Sequence, residues 1–282
     1  MNPTTGLRLL TLGLLAALIA ACVAPAPAPV MRVGATDAVR SQVLAHLYAA
    51  ALRDAGTPAE VTVTDDPVAG LDTGAAAVAP GLTGRLLRRF QPDATPRSAK
   101  AVYRAMVAAL PEGLAAGDYA TAAQDKPALA VTEKTARAWG GTDLRVLPRH
   151  CHGLTVGVVA GDEAPAKVGS CRLNNREFPS ATAMFTALEK GDIDAGWTST
   201  AAPDAPETVA LLIDGSPALV QAENVVPLYR RAELSERQVL ALNEVAGVLD
   251  TAGLTAMRRR VDGGADPQVV VESWLAEHPL GR

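Results

Sequence analysis

Trp197 is followed by Thr198-Ser199-Thr200, an aromatic face beside a run of hydroxyls. Such a set holds a ligand by stacking and hydrogen bonds. Just upstream, the spacing of Met184, Phe185 and Leu188 predicts a short amphipathic helix, with Lys190-Gly191 as its basic last turn and left-handed cap. Ile193 to Trp197 then read as a buried strand. The expected unit is helix, tight turn, strand, and its polar run lies at the strand's carboxyl end, where α/β proteins place their ligands. A ligand is expected there, against Trp197 and Thr198.

Two further groups could do chemistry. Cys151 and Cys171 could close a disulfide, and His150-Cys151-His152 offers ligands to a metal. A loop of about twenty residues closed by a disulfide gains about 3 kcal/mol in the chain-entropy model. Adjacent side chains on an extended segment point to opposite faces, so at most His150 and His152 share a side. No metal and no cofactor is expected. Catalysis has little to stand on: the chain has no Gly-x-Ser-x-Gly elbow and no His-Glu-x-x-His, and of its four histidines His46 lies in a helical pattern and His278 in the tail. A binder is expected; an exported hydrolase is the rival class.

The chain has 282 residues, enough for two domains. Its formal net charge of −4 gives no footprint for nucleic acid. The local runs Arg88-Arg89 and Arg258-Arg259-Arg260 read as solvated helix faces. Residues 1–22 have the form of a targeting segment. Arg8 supplies the charge, Leu9 to Ile19 a short apolar core, and Ile19-Ala20-Ala21-Cys22 resembles a bacterial lipobox. That resemblance implies cleavage before Cys22 and lipidation of Cys22, which would anchor the protein to the extracytoplasmic face of the cell membrane. Residues 23–30 are a Pro/Ala tether. Export also places Cys151 and Cys171 in an oxidising compartment.

The elements that must position Trp197 follow a βαβ rhythm. A strand at Met31 to Ala35 leads to a helix from about Ala38 to Asp54, which Asp37 can cap. A strand at Glu60 to Thr64, a loop over 65–74 and an apolar run Ala75 to Ala79 follow. Next come helices near Thr83 to Phe90 and from Thr95 or Ser98 to Leu110, then an extended crossing at Tyr119 to Thr132. After a helix at Glu133 to Trp139 and a strand at Leu154 to Val159, residues 161–179 have no clear period and read as loop. Past Thr200, a strand at Val209 to Ile213 precedes an extended segment, Asn224 to Arg230, whose proline argues for an edge. Three helices close the chain.

Taken together, Val33-Gly34 through Leu47-Tyr48-Ala49, Pro80 with Thr83-Gly84, Asp125 through Val131-Thr132, Glu189 through Ser199, and Asn224-Val225-Val226-Pro227 resemble the substrate-binding proteins of bacterial glycine-betaine/choline ABC transporters. The resemblance covers most of residues 31–277. It implies a two-lobed α/β type II periplasmic-binding-protein fold with a ligand cleft between the lobes. One lobe would comprise 31–124 and 200–282 and the other 125–199, with hinges near Asp125 and Trp197. It further implies a monomer that hands a small solute to an ABC permease.

Such proteins enclose a trimethylammonium group in aromatic faces. Position by position, the resemblance puts Leu82, Lys126 or Pro127, and Glu223 where aromatics are expected, Thr36 where a lysine is common, and keeps the Thr83 hydroxyl and Trp197. The ligand set it implies is Thr36, Asp37, Leu82, Thr83, Asp125, Lys126, Trp197, Thr198, Glu223 and Asn224, with Arg172 and Arg176 as weak candidates for a carboxylate. One aromatic face contributes about 0.5–2 kcal/mol to holding a cation, against roughly 8 kcal/mol for micromolar binding. Losing three faces removes several kcal/mol. Two readings therefore stand beside osmoprotectant uptake: a different solute, or a protein partner docked on a fold that has left transport.

Overall fold

The computed structural model describes residues 29–281. The expected targeting segment and Cys22 lie outside the described residues, as does most of the tether. The elements run β1 (Met31–Ala35), α1 (Val39–Asp54), β2 (Ala59–Val63), α2 (Pro67–Thr73), β3 (Val78–Leu82), α3 (Thr83–Phe90), α4 (Ala99–Ala109), β4 (Leu114–Ala116), β5 (Pro127–Thr132) and α5 (Glu133–Trp139). After a 3-10 turn at Leu144–Arg149 come β6 (Thr155–Val159), β7 (Lys167–Val168), β8 (Cys171–Arg172), β9 (Asn174–Phe178), α6 (Ala181–Lys190), β10 (Ala195–Ser199), β11 (Val209–Leu212) and β12 (Val225–Arg230). The helices α7 (Glu236–Val248), α8 (Thr251–Asp262) and α9 (Pro267–Glu277) follow.

Two five-stranded sheets organise two lobes. The first has the order β2-β1-β3-β12-β4 and the second β11-β5-β10-β6-β9. In the first lobe α1 packs against β1 to β3 on one side and α7, α8 and α9 on the other. Its residues Val43 to Leu52 are therefore buried except His46, a helix apolar nearly all round rather than on the single stripe that its periodicity suggested. The second sheet has one apolar cluster around Leu129, Val156 and Trp197 and another around Met184, Phe185 and Ile193.

Several local readings change. Asp37 does not cap α1; the cap residue is Ala38, and Thr36 N donates to Ser41 Oγ at 2.9 Å instead. The 65–74 loop contains α2, because Asp66 accepts from Val68 N and Ala69 N, Pro67 opens the helix and Gly74 at φ 74° closes it. Residues 161–179 hold the small β7–β8 hairpin and strand β9, whose exposed polar residues hid it. Pro227 is not on an edge: β12 lies between β3 and β4. Thr83 N donates to Asn224 O, which leaves Pro227 and Pro80 opposite each other where no bonds are exchanged. On the β4 side Gly117 N donates to Pro227 O, and the Gly117 carbonyl accepts from the Tyr103 hydroxyl at 2.9 Å. The missing proline N–H is thus replaced.

The chain passes between lobes at 124–126 and returns at 222–224, where Gln124 bridges Asn224 and Asp125 N donates to Glu223 O. The return expected at residue 200 is corrected, because β11 pairs with β5 and keeps residues 209–212 in the second sheet. Thr200 nevertheless touches the crossing: its Oγ1 donates to Gln124 O and accepts from Lys126 N, both at 3.0 Å. Thr83 Oγ1 accepts from Asn224 N at 3.0 Å, and Asn224 Nδ2 donates to Ala120 O at 2.9 Å. Beside them Lys126 Nζ pairs with the buried Asp214 carboxylate at 2.7 Å, which also accepts from Leu219 N and Val220 N.

The unit expected over 183–200 forms as α6 and β10. Ser180 caps α6 by accepting from Ala183 N, Gly191 at φ 78° ends it, and β10 lies between β5 and β6 with the hydroxyl run at its carboxyl end. Helix and sheet approach closely at Gly157, where a Cβ would sit 2.7 Å from both Ile193 Cδ1 and Met184 Cγ. Gly157→Ala should therefore cost about 1–3 kcal/mol, read from urea unfolding. Lys126→Met should cost about 3 kcal/mol by stranding the buried Asp214 charge; an unchanged unfolding midpoint would remove the pair from the hinge's stability.

Candidate functional site

A cavity of about 180 Å³ opens between the lobes. This is smaller than the ~300–1,000 Å³ that holds a drug-sized ligand, so a compact solute is the appropriate guest. The carboxyl end of β10 supplies Trp197, Thr198 and Ser199, the end of β6 supplies Val158 and Val159, and Met184 comes from α6. The first lobe contributes four arginines: Arg40 from α1, Arg85 and Arg88 from α3, and Arg258 from α8. The crossings contribute Asp125 and Glu223.

Asp125 has a side chain 0 % exposed, between Arg40 Nη1 at 2.7 Å and Arg258 Nη1 at 3.2 Å. Burial alone would raise its carboxyl, but the two guanidiniums hold it below the usual carboxylate range. Arg258 Nη1 also donates to Ala201 O at 2.7 Å, tying α8 to the chain just past β10. Glu223 behaves differently. Burial pushes its carboxyl above the ordinary range, although Arg88 Nη2 stands 3.0 Å away and Arg85 N donates to it at 2.9 Å. This carboxylate sits on the first turn of α3, where the helix dipole favours negative charge. Glycine is required beside it, since a Cβ on Gly84 would fall 2.6 Å from Ala222 O and 2.7 Å from Glu223 Cδ.

Arg88 joins the two lobes. Its Nη2 lies 2.9 Å from Glu163 Oε2, in the loop after β6, and its Nη1 donates to Gln221 Oε1 at 2.6 Å. Arg85 is half-buried in the same wall.

Of the residues singled out in the sequence, Asp125, Trp197, Thr198 and Glu223 meet around this cavity. Trp197 is 5 % exposed, packs in the second lobe's core, and its indole N–H has no hydrogen-bond partner among the described residues. Thr36 lines a shallower recess beside Arg85 and Arg88, and Asp37 is exposed outside both. Leu82 is in the first lobe's core, while Thr83, Asn224 and Lys126 stand behind the cavity, committed to the hinge bonds described above. Arg172 and Arg176 belong to β8 and β9 and do not line it.

The sequence reading missed Arg40, Arg85, Arg88, Arg258 and Glu163. Arg88 and Arg258, expected on solvated faces, each turn toward a buried carboxylate. The signal available was weak: a basic residue on a helix whose other face is apolar looks solvated until the opposing lobe is in place. Cys151 and Cys171 are neighbours in the second lobe and are not bridged in this structure; Cys171 is buried.

Residues 177–277 match the family model described as the substrate binding domain of the ABC-type glycine betaine transport system. No curated protein matches in sequence. Among solved structures, a glycine betaine/carnitine/choline ABC transporter protein superposes with TM-score 0.72 at 17% identity, covering 89% of this chain and 98% of that one. Apo YehZ from Escherichia coli gives 0.69 at 17% identity over 90% and 99%. Lactococcal OpuAC, closed on glycine betaine, gives 0.51 at 13% identity over 88% and 96%. The chain therefore has the two-lobed type II periplasmic-binding-protein fold, and its carboxyl-terminal part matches the substrate-binding domain of glycine betaine transport systems.

Proposed function

We propose that this protein is the solute-binding component of an ABC importer, which closes its two lobes on a small solute and presents it to a permease. The observation that carries the reading is the cavity itself: it lies between lobes, is walled by both, and has an aromatic ring and hydroxyls at a strand's carboxyl end facing charged side chains. The family-model match over 177–277 supports it. No catalytic step is assigned. Cleavage before Cys22 and lipidation of that residue would hold the monomer on the extracytoplasmic face of the membrane, spaced by the tether over 23–30. No single helix among the described residues is long and apolar enough to cross a membrane.

In this reading Trp197, Thr198, Asp125 and Glu223 face the solute, Thr36 edges the neighbouring recess, Asp37 takes no part, and Leu82, Thr83, Lys126 and Asn224 hold the wall and hinge in place. An osmoprotectant-like solute suits the fold's relatives, but one aromatic face is little for a quaternary amine. The charged lining favours a second reading, a different solute in the same cleft. We also propose that Cys151 and Cys171, unbridged in this structure, are oxidised to one disulfide after export; their proximity in the second lobe supports this, and the expected targeting segment would deliver them to an oxidising compartment.

Trp197→Ala should abolish solute binding in calorimetry while the thermal unfolding of the free protein stays cooperative; unchanged affinity would move the site elsewhere. Thiol titration of the exported protein, unfolded without reductant, should find no reactive thiol. Two would exclude the disulfide.

A further inference from the structure

We propose that the cleft holds an anionic head group of its solute, a carboxylate, sulfonate or phosphonate, on the Arg85 guanidinium beside Arg40, and that Glu163 of the second lobe stands in for that group when no solute is present. The inference deepens the solute-binding reading and rests on it.

Three of the four guanidiniums at the cavity are already engaged. Arg40 and Arg258 share Asp125. Arg88 is bonded to Glu223, Glu163 and Gln221. The Arg85 side chain has neither an ion pair nor a hydrogen bond among the described residues, although its own backbone N–H is fixed on Glu223 at 2.9 Å. It lines both the deep cavity and the recess next to it, at the third position of α3. Four guanidiniums, Arg40, Arg85, Arg88 and Arg258, thus share three carboxylates, Asp125, Glu223 and Glu163. Asp162 and Asp204 also edge the cavity, but both are exposed and bond to none of the four. One planar fork of N–H donors is left for a guest, and such a fork matches two oxygens of an oxyanion.

The surroundings of Arg85 agree. Burial, followed by the Arg40 charge, lowers its hold on the proton, so a second negative group beside it would relieve both costs. Glu163 gives only part of that relief. Its carboxylate reaches across from the other lobe to Arg88 at 2.9 Å, senses the charges of Arg85 and Arg40 as well, and stays largely exposed. An ion pair this exposed contributes little and is readily exchanged for a better-placed anion. A trimethylammonium group would find the reverse: Asp125 and Glu223 are committed to guanidiniums, the arginines of the lining repel it, and among the described residues of the lining Trp197 alone offers an aromatic face.

The test is calorimetry on the mature exported protein with succinate, taurine, methylphosphonate and choline as probes. The expected result is binding of at least one of the first three and none of choline. Arg85→Gln should weaken that binding at least tenfold with an unchanged melting temperature, Arg85→Lys should restore part of it, and Glu163→Gln should strengthen it several-fold by removing the internal competitor. Anion binding that Arg85→Gln leaves unchanged overturns the proposal. So does choline binding indifferent to Arg85→Gln, though this leaves the solute-binding reading standing. No heat from any of the four overturns the anion site, and if glycine betaine and polyols give none either, the solute-binding reading falls with it.

Discussion

A carboxylate taken out of water must be given back its solvation by fixed charges or donors. Asp125 meets that demand with two guanidiniums from different helices of the first lobe. It lies on the segment that leaves the first lobe, and its two oxygens bind Arg40 from α1 and Arg258 from α8. Arg258 in turn holds Ala201, just beyond the strand that carries Trp197. Three parts of the chain far apart in sequence are therefore fixed relative to one another by one buried group. Removing it would leave two guanidiniums facing each other at the floor of the cleft.

The second crossing solves a harder problem. Glu223 is as buried as Asp125 but has one guanidinium rather than two, and its carboxyl is displaced upward rather than downward. The amino end of α3 supplies the remaining support, which is why Gly84 must bring its backbone so close. The two crossings thus present differently balanced carboxylates to one cavity, while Arg88 reaches over to Glu163 and links the lobes by an exposed, replaceable bond. A strong anchor at the floor and a weak clasp at the rim suit a molecule that opens and closes.

Much of this was legible in the sequence. The α6–β10 unit declared itself through a cap, a left-handed glycine and a hydrophobic period, and the motif order implied the two lobes before any coordinate. What failed did so for physical reasons. Strand β9 is polar on its exposed residues and lost its alternation; Pro227 survives in an internal strand because Tyr103 replaces the missing donor; and β11 looked like a returning segment because a strand's sequence does not say which sheet it joins. The site was half visible. Trp197, Asp125 and Glu223 could be picked out, but Arg40, Arg88 and Arg258 could not, since each draws its meaning from a carboxylate at least 85 residues away.

If the Trp197 cavity is the binding site, one small solute there bridges both lobes. Hydrogen–deuterium exchange with and without the solute identified by calorimetry tests it most directly. Peptides spanning 83–88 in the first lobe and 195–200 in the second should be protected together; protection confined to one lobe, or absent from both at saturating solute, would rule the bridging solute out.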